Sequence, residues 1–192
     1  MCAMTLLMGS KTVGQTRLTM SRMMRSHHAN RYGFVHGGTI LRLADSAAGL
    51  TGIRHAGTRV VTACVDKAIF HAPVQVGELL HVHASINAVG RTSMDIGVRV
   101  EAEDVFTGST THVATAYFCF VAVDDHGRAL PVPSLDLETD DDRRRHDQAL
   151  QLAFRAGQHA TRAYAHVQPT RERELRAVWI HDPFGVSDWG WE

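Results

Sequence analysis

The pattern of hydrophobic and polar positions predicts one long buried helix and five strands. Residues 37–53 are apolar on almost every face at the helical period, and a helix that is apolar all round is typical of a protein core. Later segments are rich in β-branched residues or alternate between apolar and polar positions, as strands do. The predicted strands are 58–70, 79–89, 94–100 and 111–124, with a shorter one earlier, at 16–24.

The order of these elements predicts the fold class. The four later strands are joined by links of hairpin length, which indicates an antiparallel sheet because parallel neighbours need a long crossover. A single helix that is apolar all round can bury its surface only against the concave face of that sheet. We therefore predict an α+β fold, in which an antiparallel five-stranded curved sheet wraps around one long central helix.

The two ends of the chain differ from this central domain, which we place at residues 15–135. Residues 1–14 are predicted to be an N-terminal leader, and 136–192 a C-terminal extension that begins as a charged linker. All three tryptophans, Trp179, Trp189 and Trp191, fall in the extension. Tryptophan side chains are seldom left in water, so we expect the extension to dock onto another surface.

Composition and charge narrow the class of protein. The 192 residues carry 20 basic and 20 acidic side chains, whereas nucleic-acid and membrane-surface binders have a basic excess. No apolar run approaches the ~20 residues that span a bilayer, and the N-terminus lacks the positive region of a signal peptide. Cys2, Cys64 and Cys119 are too few and scattered for a disulfide framework, so we expect free thiols and a cytoplasmic location.

Asp45 is the exception within the apolar helix. A carboxylate in such a place needs partners, and buried carboxylates are candidate bases or nucleophiles. A helix-surface ion pair with Arg42, three residues earlier, is the structural alternative. Just before the helix, Gly37 and Gly38 offer backbone N–H groups that can hold a carbonyl oxygen as it becomes negative, although a glycine pair can also form a simple tight turn.

Two loops carry further candidate chemistry. Asn30 can orient a water molecule or a substrate carbonyl through its amide, or it can simply form a turn. The segment Gly90, Arg91, Thr92 and Ser93 offers a fixed positive charge and two hydroxyls that can hold a phosphate, or it can form an ordinary hairpin turn. The histidines show no metal-ligand spacing and no glycine-rich nucleotide motif is present, so we predict no metal and no cofactor.

Four segments together resemble the hotdog-fold acyl-CoA thioesterases, in particular the branch of cytosolic acyl-CoA hydrolases. They are HANRYGFVHGGTILRLAD, VVTACVDKAIFHAPVQVGELL, VGRTSMDIGV and YFCFVAVDDHGRALPVP. They occur in the family's order and spacing, between residues 16 and 133. HGG followed by an acidic residue on the helix is shared with other hotdog thioesterases, whereas VGRTS together with FVAVDxxGRxxPVP is more specific to this branch.

The resemblance implies a hotdog fold and a hydrolase of fatty acid metabolism that converts fatty acyl-CoA to free fatty acid and CoA. Asp45 is similar to the family's helix carboxylate, which acts as general base or nucleophile, and Asn30 to its partner from the neighbouring subunit. Gly37 or Gly38 is similar to the oxyanion contact. The substrate-binding and CoA-binding residues implied are His36, Gly90, Arg91, Thr92 and Ser93.

The resemblance also implies a homodimer, assembled into a tetramer or hexamer, because the site of such enzymes lies between subunits. Two alternatives stay open. One is a non-catalytic module that binds or senses acyl-CoA, and the other is a different hotdog enzyme such as a hydroxyacyl dehydratase, in which His36 would join an acidic partner. Asp45 favours an enzyme, because a groove for an apolar chain gains nothing from a carboxylate.

Overall fold

The computed structural model describes residues 9–156, with side chains described as far as residue 151. The first eight residues and residues 157–192, including the three tryptophans expected to dock, lie outside the described residues. The described elements are β1 (Ser10–Thr12), α1 (Val13–Thr16), β2 (Leu18–Met23), α2 (Gly37–Ala56), β3 (Arg59–Phe70), β4 (Leu79–Val89), β5 (Ser93–Glu103), β6 (Thr110–Val123), β7 (Ser134–Asp136) and α3 (Asp140–Ala156). No helix among them has the length and hydropathy that crossing a bilayer requires.

Five strands form one antiparallel sheet in the order β2-β4-β5-β6-β3, which confirms the predicted sheet. Side chains of successive residues along β5 point to opposite faces of the sheet. Met94, Ile96 and Val98 are buried on one face, and the residues between them point to the other. Among the described strands, β3 pairs only with β6 and so forms one edge of the sheet. Strand β3 also carries Thr62, whose hydroxyl donates to Asp45 of α2.

The predicted central helix is confirmed as α2, which runs one turn further than residue 53. It ends at Gly57, whose φ of 70° is the left-handed conformation that favours glycine and lets its N–H bond to the Ile53 carbonyl at 2.8 Å. Small residues let the sheet come close, as a Cβ on Gly52 would lie 3.4 Å from the Ile96 and Val60 side chains. Helix α2 and the inner face of the sheet therefore share one core.

The C-terminal segment differs from the charged linker that we expected. Residues 134–136 form β7, which pairs in parallel with β1, and α3 already begins at Asp140. Thr139 and Asp142 cap this helix reciprocally, and Asp142 also forms an ion pair with Arg17 at 3.2 Å. The acidic run lies in the first turn, where the helix dipole favours negative charge, so the segregation of charge reflects a helix start. Part of the expected leader is also ordered, as β1 and α1.

Candidate active site

The start of α2 presents one unused backbone donor. His36 caps the helix, because its Nδ1 accepts a hydrogen bond from the Gly38 N–H at 3.0 Å. The His36 carbonyl accepts the N–H of Thr39 at 2.9 Å. Among the described residues, the N–H of Gly37 has no acceptor, and it lies at the positive end of the helix dipole. Of the two predicted glycines, Gly37 is therefore the one whose N–H can donate a hydrogen bond to a substrate oxygen.

A cleft of about 370 Å³ opens beside this helix start. It is mostly apolar, and its lining residues are Asn30, Phe34, Val35, Gly37, Ile40, Phe70, His71, Ala72, Pro73 and Val74. The ring of Phe70 lies against Gly37, since a Cβ on that glycine would sit 3.4 Å from the ring. Phe70 is still 49% exposed, so the cleft is open to solvent at this point. A cleft of this kind suits an apolar chain whose polar end reaches the Gly37 N–H.

Asn30 both shapes its loop and lines this cleft. Its side-chain oxygen accepts the N–H groups of Tyr32 at 2.8 Å and Phe34 at 3.3 Å, which makes it the turn former that we considered. Its amide nitrogen forms no hydrogen bond with any residue that the structure describes. The turn uses the side-chain oxygen of Asn30, whereas a contact with a substrate carbonyl would use its amide nitrogen. Asn30 can therefore form the turn and contact a substrate at the same time.

Asp45 lies about two turns further along α2 and is half-buried. Its Oδ1 accepts a hydrogen bond from the hydroxyl of Thr62 on β3 at 2.8 Å. Thr62 is a site residue that sequence reasoning missed, because nothing along the chain marks it among the other polar residues of its strand. Only the packing of α2 against β3 brings the two side chains together.

Hydrogen bonds hold the backbone of the turn from Gly90 to Ser93, and the charged side chain of Arg91 is exposed to solvent. The Gly90 N–H donates to the Ser93 carbonyl at 2.8 Å, and a Cβ on Gly90 would lie only 2.7 Å from the Ser93 hydroxyl oxygen. The carbonyls of Arg91 and Thr92 accept the N–H groups of Val132 at 3.1 Å and Ala122 at 3.0 Å. The side chain of Arg91 is exposed and has no ion-pair partner within the described part of the chain. The hydrogen bonds therefore fix the backbone from which the Arg91 side chain extends into solvent.

One chain does not assemble all the predicted residues at one point. Asn30 and Gly37 share the cleft, while Asp45 and Thr62 lie together further along α2. Eight residues of helix separate Gly37 from Asp45, which is about 12 Å at 1.5 Å per residue. The 90–93 turn lies at the Thr62 end of the sheet, since Ser93 pairs with Val121, which pairs with Val61 next to Thr62.

Within the side chains that the structure describes, no three His, Cys, Asp or Glu residues are placed to hold a metal ion. The groups that the site does offer are a carboxylate, a hydroxyl, an amide and a backbone N–H. These are sufficient for proton transfer and for binding a developing oxyanion.

Comparison with known proteins places the sequence among acyl-CoA hydrolases. Residues 32–108 match the family described as the Thioesterase superfamily. Protein VdlD of Helicobacter pylori is 38% identical over 139 residues, which are 72% of this chain and 79% of that protein. An uncharacterized acyl-CoA thioester hydrolase of Zymomonas mobilis is 40% identical, over 57% of this chain and 73% of its own. The human cytosolic acyl coenzyme A thioester hydrolase is 33% identical over 71% of this chain, which spans only 37% of that longer protein.

Solved structures of acyl-CoA thioesterases and hydrolases superpose on this chain. An apo-hexameric acyl-CoA thioesterase superposes with a TM-score of 0.76 at 31% identity, over 79% of this chain and 97% of that one. The acyl-CoA hydrolase of Staphylococcus aureus, solved with butyryl coenzyme A and coenzyme A, has a TM-score of 0.75 at 28% identity, over 82% and 96% of the two chains.

The Staphylococcus aureus enzyme has also been solved as three alanine variants, of an asparagine, an aspartate and a threonine. Along that chain, the three altered residues are separated by the same intervals as Asn30, Asp45 and Thr62 are here. The spacing therefore singles out the same three polar side chains as the geometry does.

Proposed function

Because the chain belongs to the thioesterase superfamily, as an acyl-CoA hydrolase of the hotdog fold, we propose that it hydrolyses fatty acyl-CoA at sites shared between two copies. The products are a free fatty acid and CoA with a free thiol. The observation that carries the proposal is the arrangement along α2, with the carboxylate of Asp45 held by Thr62 and the unused N–H of Gly37 beside an apolar cleft.

In the proposed reaction, the Gly37 N–H and the Asn30 amide hold the thioester carbonyl oxygen. Asp45 either removes a proton from the attacking water or attacks the carbonyl carbon itself and forms a mixed anhydride that water then opens. In both routes the carbonyl oxygen becomes negative, which the two N–H donors stabilise. Collapse of the resulting tetrahedral intermediate breaks the carbon–sulfur bond, and the CoA thiolate leaves and takes up the proton that the attacking water releases. In the second route this same collapse gives the anhydride, which water opens afterwards.

A second copy of the chain is needed to complete this site. Reacting groups must lie about 3 Å from the carbonyl, whereas about 12 Å of helix separates Gly37 from Asp45 within one chain. We therefore propose that Asn30 and Gly37 of one copy face Asp45 of the other. The open edge of β3, where Val65 and Phe70 are 45% and 49% exposed, is available for such pairing.

Larger assembly and location belong to the same proposal. The structural neighbours include hexameric thioesterases, which supports a homodimer that assembles into a tetramer or hexamer. The human relative is named a cytosolic enzyme, which supports a cytoplasmic location. The residues outside 15–135 remain predicted to be a leader and an extension of this domain.

The direct test is the release of free thiol from acyl-CoA esters of increasing chain length, followed with a thiol reagent. We expect turnover with a length preference that identifies the substrate class. Tight binding of acyl-CoA in calorimetry with no thiol release would instead support the non-catalytic binding module. Hydration of an enoyl-CoA without thiol release would support the dehydratase.

Replacing Thr62 with valine tests whether the hydroxyl positions Asp45. Valine keeps the shape but removes the donor, so we expect kcat to fall roughly 10-fold, the equivalent of about 1.4 kcal/mol. KM should change little, because the ground-state contacts of the substrate are made elsewhere. Steady-state thiol release gives both constants.

Two variants serve as controls for the threonine. Thr62→Ser keeps the hydroxyl and should retain most of the activity. Thr58→Val removes a hydroxyl that bonds only to the Val123 carbonyl, at 3.3 Å, and should leave kcat unchanged. An equal loss in Thr62→Val and Thr58→Val would assign the effect to general strain in this region of the chain.

Replacing Arg91 with alanine tests the proposed phosphate contact. We expect KM for CoA esters to rise about 10-fold, since a charge-assisted hydrogen bond contributes about 1.5–3 kcal/mol, less where solvent screens it. A thioester of N-acetylcysteamine has no phosphate, so its kcat/KM should be the same in both proteins. Arg143→Ala removes another exposed arginine, on α3, and should affect neither substrate. An unchanged KM for CoA esters would remove Arg91 from the site.

A further inference from the structure

The face of the sheet that points away from α2 carries two cysteines opposite each other. Cys64 of β3 and Cys119 of β6 are direct partners in the antiparallel ladder. Cys119 lies between Phe118 and Phe120, which are buried, and so projects to the other face. The register of the ladder therefore places the two side chains next to each other. Directly opposed residues of an antiparallel pair have Cα atoms about 4.5–5.5 Å apart, within the range that a disulfide needs.

The two thiols differ in their access to solvent. Cys64 is half-buried, whereas Cys119 is only 4% exposed and lies behind it. Both are free thiols in the structure. A small oxidant can therefore reach Cys64, and the sulfur that could resolve the oxidised product belongs to its ladder partner. This is the arrangement of an attacking and a resolving cysteine.

Two carboxylates, Asp66 and Asp95, lie next to the two cysteines and affect the pKa of the Cys119 thiol. The Cys64 thiol donates to Asp66 Oδ1 at 3.1 Å, and Asp95 is the ladder partner of Cys119 on the other side. The hydrogen bond with Cys64, burial and the charge of Asp95 raise the pKa of the Cys119 thiol. Burial, with a smaller contribution from Asp66, raises the pKa of Asp95 to about 6, so this carboxylate is charged at neutral pH. The negative charge disfavours the thiolate form of Cys119 and so slows its oxidation.

We propose that Cys64 and Cys119 are a redox-responsive pair that peroxide converts into a reversible cross-strand disulfide. The Cys64 sulfur attacks one oxygen of hydrogen peroxide, the O–O bond breaks, and a sulfenic acid forms as water leaves. The Cys119 sulfur attacks the Cys64 sulfur, and the hydroxyl departs as a second water molecule. In sum, two thiols and one peroxide give one disulfide and two waters, so the sulfurs lose the two electrons that the peroxide gains.

The bond would tie β3 to β6 near the candidate site. Thr62, which holds Asp45, precedes Cys64 by two residues on β3. The ladder is irregular at this point, with register shifts on both sides of the Cys64–Val65 segment. The disulfide would close a long loop, which restricts the unfolded chain, so the oxidised protein should have a higher Tm.

The test uses the full chain with Cys2 replaced by serine, so that only the two thiols remain. Treatment with hydrogen peroxide should remove both thiols and lower the intact mass by two hydrogen atoms. Peptide mapping should find residues 64 and 119 linked within one chain, and dithiothreitol should restore both thiols. Adding Asp95→Asn should make oxidation several-fold faster at neutral pH, because it removes the facing charge.

Single-cysteine variants provide the matched controls. Cys119→Ser keeps the accessible Cys64 and should take up oxygen or form links between chains, whereas Cys64→Ser keeps only the buried Cys119 and should react slowly. Neither variant should lose two hydrogen atoms within a chain. The proposal is overturned if the two-thiol protein only takes up oxygen or links to other chains, or if its thiols survive peroxide that oxidises Cys119→Ser. The readout is mass, so it does not depend on whether the protein hydrolyses thioesters.

Discussion

Asp45→Asn is expected to lower kcat for acyl-CoA hydrolysis by at least ~10²-fold, the usual loss when an acid–base group is removed. Asparagine has nearly the same shape, and its side-chain oxygen can still accept the Thr62 hydroxyl, so the local structure should survive. Its amide cannot take a proton from water or attack a thioester. Binding of CoA esters should stay nearly unchanged, because Asp45 acts on the reacting carbonyl. Thiol-release kinetics and the Kd of a non-hydrolysable CoA thioether measure the two effects.

Asp95→Asn is the matched control for Asp45→Asn. Asp95 is also a half-buried aspartate, but it lies on the face of the sheet away from α2. We expect the Asp95→Asn variant to have the same kcat as the wild type. Turnover retained in Asp45→Asn would remove Asp45 from the reaction, and an equal loss in both variants would point to a structural effect of losing a carboxylate.

Asn30→Asp is expected to lower kcat by about 10²-fold, since removing one donor from an oxyanion site costs 10²–10³ in other enzymes. Aspartate keeps the oxygen that accepts the N–H groups of Tyr32 and Phe34, so the loop should fold as before. It replaces the amide nitrogen by a negative oxygen, which repels the developing oxyanion. Thiol release and thermal unfolding of the same preparation measure activity and stability together.

Asn30→Ala separates the two roles of this residue. Alanine removes both the donor and the acceptor, so we expect the loss of activity to be accompanied by a lower Tm. Each buried or half-buried hydrogen bond contributes about 0.5–1.5 kcal/mol. If Asn30→Asp keeps full activity while Asn30→Ala loses it, the asparagine is only a turn former.

Mixing the two variants tests whether the site is shared. In a mixed pair of Asp45→Asn and Asn30→Asp subunits, one of the two sites contains both intact residues if they come from different copies. Co-expression of the two inactive variants should then restore a substantial fraction of activity. No recovery in mixed oligomers that mass spectrometry shows to be present would place Asn30 and Asp45 of the same chain at one site.

The sequence alone was enough to predict the central sheet and helix, because their signals are local. Alternation of apolar residues marks β5, and the all-round apolar surface of residues 37–53 marks α2. The motif around Gly37 also located a candidate oxyanion donor. In these cases the side-chain pattern over a few residues already reflects which surface must be buried, so no distant contact is needed to recognise it.

The parts that only the tertiary structure decided all depend on contacts between distant segments. The hydroxyl of Thr62 meets Asp45 because α2 packs on β3, and Cys119 meets Cys64 because β6 pairs with β3 in one particular register. The acidic run at residue 140 begins a helix rather than a linker, and Asp142 of that helix pairs with Arg17, far away in the chain. The choice between Gly37 and Gly38 rests on the side chain of His36 folding back onto one N–H. Pairings of this kind depend on strand register and helix orientation, which arise only when the chain buries its apolar surface as a whole.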